Sequence, residues 1–335
     1  MTSVSSRPVA RLTTPGEIVA TVPLLCGYPP ADSVVVLSLR GPRRRLGLTV
    51  RLDRPPPGQA GRAAELLAER VVHDGARAAV VVVYADDRDE TLAAAVSQAL
   101  AGRGVEVTES LHVADGRWTS YACTGSCCPS EGTPVPPAPA LVEAQSALEG
   151  RAVLASRTEL VRALSPADGP LDRARVEQAA VTWLALRQAE GVAAARRSAV
   201  SAARSLLARV ADGAAVDDEA AAALAVALHD VGVRDEVATW GTSSADALLS
   251  LVEQVARRTP APHDAPVCTL LAWTAYAKGD GGRANVALDR ALATDPGYAL
   301  ALLLRQALDG GLPPEQVRRT MSATRRALRS GRSRR

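Results

Sequence analysis

The sequence predicts an α/β amino-terminal sandwich with a mixed sheet, followed by an all-α carboxyl-terminal domain. Short runs of β-branched residues recur up to position 121, and amphipathic stretches of helical length separate them. A Pro-rich stretch at 129–139 then ends this alternation. Beyond it the chain is rich in Ala, Leu, Arg and Glu and has no further strand-like run, which indicates helices.

Each predicted strand has its own pattern. Ser33–Arg40 is dense in β-branched residues, as a buried strand is, and 46–53 alternates apolar and polar residues with period two. The run at 78–84 is apolar throughout and too short for a helix, so it is expected at the centre of the sheet. Two further strands are predicted at 105–113 and 117–121, and helices at 17–26, 59–73 and 87–101.

The length of 335 residues is more than a single ordinary core accommodates, so two domains are expected. We place an α/β domain at 14–132, a Pro-rich linker at 133–140 and a helical domain at 141–326. Residues 327–335 are basic and are expected to form a disordered tail.

The helical half contains one internal pattern, at the spacings of a tetratricopeptide repeat. Its positions are Leu271, Ala272, Ala275, Gly279, Ala284, Leu288, Ala291 and Pro296. The pattern predicts a tetratricopeptide-like helical hairpin with the Gly-rich stretch 279–282 as its turn, supported by neighbouring helices. Such hairpins usually present a groove, so a protein partner is expected to bind the helical domain.

Composition excludes several classes of protein. The amino terminus lacks an apolar signal-peptide region, and no apolar stretch is long enough to span a bilayer, so a cytoplasmic protein without a membrane role is predicted. Eight arginines and no acid occur at 318–335, while the rest of the chain is net acidic. No aromatic residue interleaves with these arginines, so nucleic acid is expected to bind weakly at most, through phosphate contacts of the tail.

A cysteine-bearing segment is the strongest candidate for chemistry. Cys123, Cys127 and Cys128 lie in a Gly/Ser/Pro loop after the last predicted strand, with Trp118, Tyr121 and Glu131 as candidate lining residues. The thiols could be structural, redox-active or zinc ligands, and the spacing is not that of a zinc knuckle. Zinc would need a fourth ligand from a partner chain or from His73, His112 or Cys26.

Acidic residues beside the predicted strands are weaker candidates. Asp86 and Asp87 follow the apolar run, where α/β proteins often bind ligands. Asp87 and Glu90 also have capping-box spacing, so we expect Asp87 to cap the next helix. Tyr28 and Asp32 lie in the Pro-rich turn before the first strand and are expected to form the turn first and a site second.

Two segments resemble a known family. The first is the segment 22–36, VPLLCGYPPADSVVV, and the second combines 116–121, GRWTSY, with the cysteine segment and 131–134, EGTP. Together they resemble the actinobacterial domain of unknown function family 4192. The resemblance implies no activity. It does imply that the cysteine segment belongs to the family pattern and that Cys26 stands at an apolar core position.

These observations leave two functional hypotheses. The favoured one is a non-enzymatic binding or scaffold protein of the cytoplasm. The alternative is a metal-binding or thiol-dependent enzyme centred on Cys123, Cys127 and Cys128. No P-loop, dinucleotide fingerprint or nucleophile elbow is present in the sequence, so no catalytic residue is assigned.

Overall fold

The computed structural model describes residues 10–123, 125, 128–166 and 173–332, with side chains up to Ala327. The chain forms two compact units, which divide between Arg157 and Thr158. The predicted α/β half and all-helical half are both confirmed.

The first unit contains one mixed sheet with helices on its two faces. Its strand order is β2-β1-β3-β4-β5-β6, in which β3 and β4 are parallel and every other neighbouring pair is antiparallel. The elements in chain order are α1 Pro15–Cys26, β1 Ser33–Arg40, β2 Arg45–Asp53, α2 Ala60–His73, β3 Ala76–Tyr84, α3 Glu90–Ala101, β4 Glu106–Ala114, β5 Arg117–Ser120, β6 Thr133–Pro134 and α4 Ala140–Leu148.

Strands β1 and β3 are buried on both faces of the sheet. This explains why both sequences are rich in valine and why β3 also contains several alanines. Val34 and Val36 of β1 lie in one core cluster with residues of α2 and α3. Val35 and Leu37 lie in a second cluster with residues of α1, on the opposite face of the sheet. The alternation along β1 therefore divides its side chains between the two helical layers.

Local signals fix the ends of α1. Thr14 and Glu17 form a capping box at its start, and Pro15 occupies the first turn, where its missing N–H costs no hydrogen bond. Gly27 ends the helix with φ of 82°, a left-handed conformation that a residue with a Cβ adopts only with strain. This stop directs the chain through the Pro-rich turn into β1.

Asp74 is a buried carboxylate that joins three segments of the first unit. It follows α2 and accepts hydrogen bonds from Ser38 Oγ, from Arg40 Nε at 2.8 Å and from the Leu48 backbone N–H at 3.0 Å. Burial acts to raise the pKa of Asp74, but the hydrogen bonds from Arg40, Ser38 and Leu48 outweigh it and lower that pKa below its ordinary value. The network thereby holds β1, β2 and the end of α2 together.

The first unit extends past the Pro-rich stretch. The backbone N–H of Val135 donates to Gly116 O at 2.9 Å, and that of Leu154 donates to Gly27 O at 2.9 Å. The first bond ties the stretch itself to the turn before β5, and the second ties the chain after α4 to the end of α1, so α4 belongs to the same compact unit.

The described residues of the second unit form helices and the connections between them, without a strand. Its elements are α5 Arg157–Leu164, α6 Arg173–Glu190, α7 Val192–Ala211, α8 Asp218–Ala227, α9 Val231–Ala238, a 3-10 helix Thr239–Thr242, α10 Ala245–Ala256, α11 Ala265–Ala277, α12 Gly281–Thr294, α13 Ala299–Asp309 and α14 Pro314–Arg332. The last helix includes part of the predicted basic tail. Within the described residues, no helix is both long enough and apolar enough to cross a membrane.

The helices α11 and α12 occupy the segment with the repeat-like pattern. Nearly every residue of α11 is buried, and α12 packs against it after a connection at 278–280. Asp280 begins α12 by accepting the backbone N–H of Arg283 at 2.9 Å. The Gly-rich stretch thus serves the helix connection, and its tetratricopeptide-like character stays a prediction.

A substitution at Gly47 of β2 tests the Asp74 network. A Cβ at this position would lie closer than 3.0 Å to atoms of Asp74, Ser38 and Arg40. We expect Gly47→Ala to lower the free energy of unfolding by about 1–3 kcal/mol, because the network must shift to admit a methyl group. Urea denaturation followed by circular dichroism measures this. Gly61→Ala on α2, where a Cβ meets nothing within 4 Å, is the matched control and is expected to be neutral or stabilising. Equal loss in both variants would contradict the prediction.

Asp74 also predicts an acid sensitivity. Because its pKa is lower in the folded than in the unfolded protein, its contribution to stability is complete above the unfolded value of about 3.9 and is lost as pH falls through the folded value. We expect Asp74→Asn to be less stable than wild type at neutral pH and to lose less stability on acidification. Urea midpoints from neutral to acidic pH measure this, and parallel curves for the two proteins would refute it.

Candidate functional site

Ionic side chains gather where β3 and β4 end and β1 begins. Arg54, which follows β2, donates two hydrogen bonds to Asp87, at 2.7 and 3.1 Å, and one to Asp89 at 3.1 Å. Asp32 lies 3.6 Å from the same guanidinium. Asp32, a candidate site residue from the sequence, therefore belongs to an ion cluster beside the ends of β3 and β4.

The prediction that Asp87 caps α3 is wrong. Asp89 is the N-cap residue and accepts the backbone N–H of Leu92 at 2.9 Å. Asp87 instead binds Arg54 through both carboxylate oxygens. Either aspartate could cap the helix by its chemistry. Arg54, which lies 33 residues before Asp87 in the chain, binds Asp87 and leaves Asp89 as the cap.

Arg88 anchors the beginning of the cysteine segment. Its guanidinium lies 4.6 Å from the ring centre of Tyr121 and donates to Thr119 Oγ1 at 2.6 Å and to Ser120 O at 3.3 Å. The Ser120 Oγ in turn accepts the backbone N–H of Cys123 at 3.2 Å. The start of α3 and the end of β5 are therefore joined just before the first cysteine.

Tyr121 packs with His112 beside the cysteine segment. Burial raises the pKa of the Tyr121 phenol from its ordinary value to about 12. The ring of buried His112 lies 6.2 Å from that of Tyr121, and His112 Nε2 is 2.8 Å from Ala85 O. That hydrogen bond and the burial of the ring fix the position of the imidazole near the end of β4.

The cysteine segment is described in part. Cys123 and Cys128 are partly exposed, and Cys127 lies outside the described residues. Among the residues that the structure describes, no group of three or more His, Cys, Asp or Glu side chains could hold a metal ion. Glu131 is exposed, and its backbone oxygen accepts Arg117 Nε at 2.7 Å. The predicted zinc site of Cys123, Cys127 and Cys128 therefore stays a prediction.

The structure does not bring the predicted lining residues together. Trp118 packs in the cluster on the α1 face of the sheet, whereas Tyr121 packs in the cluster on the α2 and α3 face. Tyr28 is buried, with Arg51 5.7 Å from its ring centre. Cys26 is buried in the α1-face cluster, and burial raises the pKa of its thiol to about 11, so its predicted core role is confirmed.

The second unit contains a groove that is open to a ligand. It lies among α6, α7 and α8 and has a volume of about 690 Å³. Its lining residues fall at 175–186 of α6, 198–209 of α7 and 219–227 of α8. Most of them are alanine, serine or leucine, and Trp183 is the aromatic residue among them.

Ion pairs and a one-residue connection orient the three helices. Gly191, with φ of 82°, links α6 to α7. Arg175 near the start of α6 bonds Asp218 at 2.7 Å, and Arg209 near the end of α7 lies 3.6 Å from Asp217. The start of α6, the end of α7 and the start of α8 thus meet at one end of the groove, which we call its charged end.

The opposite end of the groove is mainly apolar. It is formed by Trp183 and Leu186 on α6, by Ser198 and Ala199 on α7 and by Leu224 and Ala227 on α8. Sequence reasoning missed this groove, although α6 carried a signal. Its apolar residues do not fall on one face, and outward-facing Val181 is 59% exposed. A helix that is apolar on more than one side is expected to meet something besides its own core.

Comparison with known proteins places the chain in a family without a described activity. A sequence model of a domain of unknown function, DUF4192, matches residues 15–315. The chain belongs to the DUF4192 family. The match includes both segments that carried the resemblance, as well as α6, α7 and α8. No curated protein and no solved structure matches this DUF4192 member.

Arg88 provides a test of the anchored cysteine segment. We expect Arg88→Ala to raise the alkylation rate of Cys123 several-fold, because the segment loses three contacts that hold its start. Timed labelling with iodoacetamide, read by peptide mass spectrometry, measures the rate. Arg62→Ala, on the exposed side of α2, is the control and is expected to leave it unchanged. An unchanged rate in Arg88→Ala would show that other contacts hold the segment.

Proposed function

We propose that this DUF4192 member is a non-enzymatic binding protein, and that the groove among α6, α7 and α8 takes a small apolar molecule. The observation that carries the proposal is the groove itself, an open space of about 690 Å³ with a lining of small and apolar side chains. Exposed concave apolar surface of this kind marks binding sites in proteins. A role in the cytoplasm follows from the sequence prediction.

The dimensions favour a small molecule over a protein partner. Small-molecule sites usually enclose about 300–1,000 Å³, and the groove falls within that range. Its lining positions on α6 extend from Arg175 to Leu186, roughly 16 Å at the rise of an α-helix. A stable protein interface buries about 800 Å² on each partner, which calls for a longer contact surface.

The lining chemistry favours binding over catalysis. Among the described residues that line the groove there is neither a histidine nor a cysteine, the usual general base and the strongest nucleophile of active sites. The polar side chains that are present, such as Gln178, Thr182 and Ser198, can orient a ligand by hydrogen bonds.

A groove-filling substitution tests the proposal. We expect the neutral fluorophore N-phenylnaphthylamine to bind the full chain with increased emission, and Ala202→Trp to weaken that binding at least tenfold, because the indole occupies the groove. Ala202 is exposed, so the change does not disturb the core. Ala208→Trp, on an exposed position of α7 outside the lining, is the matched control. Equal binding by all three proteins would overturn the proposal.

The cysteine segment separates this proposal from the alternative of a metal-binding or thiol-dependent enzyme. Cys123→Ser combined with Cys128→Ser is expected to leave fluorophore binding unchanged, because neither residue lines the groove. The zinc content of the wild-type protein and of the double variant is measured by plasma mass spectrometry. Stoichiometric zinc in the wild type that is lost in the double variant would favour the alternative.

A further inference from the structure

The last helix carries an excess of positive charge. Eight arginines and no acid occur at 318–335, and six of these arginines fall within α14. Glu315 is the one acid in the sequence of the helix, and it already pairs with Arg318 at 2.9 Å. The other arginines of this segment therefore have no acidic partner within it.

The elements that pack against α14 do not offset this charge. The helix packs mainly against the 3-10 helix at 239–242, against α11 and against α9. The first two contain no acidic residue. The two acids of α9 are engaged by other arginines, because Asp235 pairs with Arg234 at 2.8 Å and Glu236 pairs with Arg204 at 3.2 Å. The positive charge of α14 is thus not compensated by these three elements.

Arg319 and Arg326 present this charge to solvent. Both are exposed, and within the described part of the chain neither side chain has a hydrogen-bond or ion-pair partner. They are seven positions apart, so they lie on the same side of the helix, about 10 Å from each other along its axis. Arg318 and Arg325 repeat this spacing and bond the protein through part of their donors. Two neighbouring rows of guanidinium groups therefore run along α14.

The density of this charge fits the phosphate backbone of a nucleic-acid duplex. A DNA duplex carries one negative charge per about 1.7 Å of its axis, so the length between Arg319 and Arg326 spans about six phosphates. Guanidinium groups bind phosphate oxygens through charge-assisted hydrogen bonds. The segment 314–335 contains no aromatic residue, so it lacks the stacking surfaces with which proteins bind single strands. A duplex is therefore favoured over a single strand.

An anionic membrane fits the helix less well. A helix that binds a membrane surface places its apolar face among the lipids. The apolar face of α14 packs into the second unit, where Val317 and Met321 are each 1% exposed. That face is thus already occupied by protein.

We propose that α14 binds the phosphate backbone of double-stranded nucleic acid through Arg319 and Arg326, without reading the base sequence. The affinity of such a contact comes from counterion release, so binding weakens steeply as the salt concentration rises. This inference concerns a surface other than the groove among α6, α7 and α8, and it does not depend on the proposed function.

A salt titration of duplex binding tests the inference. A fluorescently labelled DNA duplex of arbitrary sequence is titrated with the full chain, and anisotropy gives the affinity at several salt concentrations. We expect Arg319→Gln combined with Arg326→Gln to weaken binding several-fold. We also expect the slope of log affinity against log salt to become shallower by about 2, because each phosphate contact contributes about 0.9 to that slope.

A matched control separates a local site from the effect of net charge. Arg62→Gln combined with Arg197→Gln removes the same charge from two exposed positions on α2 and α7. This variant is expected to retain the affinity and the slope of the wild-type protein. If it loses as much as the α14 variant does, net charge alone attracts the duplex and the inference is overturned.

Two further probes test the class of partner. Single-stranded DNA of the same sequence is expected to bind less tightly than the duplex, and tighter binding of the single strand would contradict the inference. Vesicles that contain phosphatidylserine are expected to leave duplex binding unchanged, and a membrane would replace the duplex as the partner if they compete with it. Failure of the duplex to bind at the lowest salt concentration would also overturn the inference, while fluorophore binding in the groove would still support the proposed function.

Discussion

The interior of this protein is built almost without large aromatic side chains, and this constraint shapes both units. Phenylalanine is absent, and aromatic residues make up 3% of the chain. Among the described residues, the largest fully buried side chains are leucines and one methionine, Met321. Cores of valine, leucine and alanine gain stability from many small contacts, so helices and sheet must approach closely.

The same composition has the opposite effect in the second unit. Small side chains stabilise a helix interface only where the two backbones lie close together. Three helices cannot all lie close to one another along their full lengths. α7 and α8 present mainly alanine and serine towards α6, so Trp183 and Leu186 of α6 do not fill the space between them. The groove is thus a space that the small side chains leave open among the three helices. Filling it with protein side chains would stabilise the unit, and its being open is what supports a binding role.

The sequence predicted those features that depend on nearby residues. The valine runs of β1 and β3 are local signals, and the strands that they predict were confirmed. The exchange of roles between Asp87 and Asp89 was not predictable, because it depends on Arg54 arriving from β2. The Asp74 network joins residues up to 36 positions apart, and the groove depends on how three helices are oriented. Neither leaves a periodic trace in the sequence.

Arginine supplies nearly all the positive charge of this chain, and many of its guanidinium groups join segments by pairing with carboxylates. Arg54 uses all three of its nitrogens on Asp87 and Asp89, and the hydrogen bonds with Asp87 raise its pKa further. Arg88 is occupied by Thr119, Ser120 and the Tyr121 ring. Both arginines hold segments of the first unit in place and have little left to offer a ligand. At the charged end of the groove the pattern is the same, because Arg175 pairs with Asp218 at 2.7 Å and Arg209 lies 3.6 Å from Asp217. These arginines therefore serve to join segments through carboxylates, and what distinguishes the groove is its small and apolar lining, not its charge.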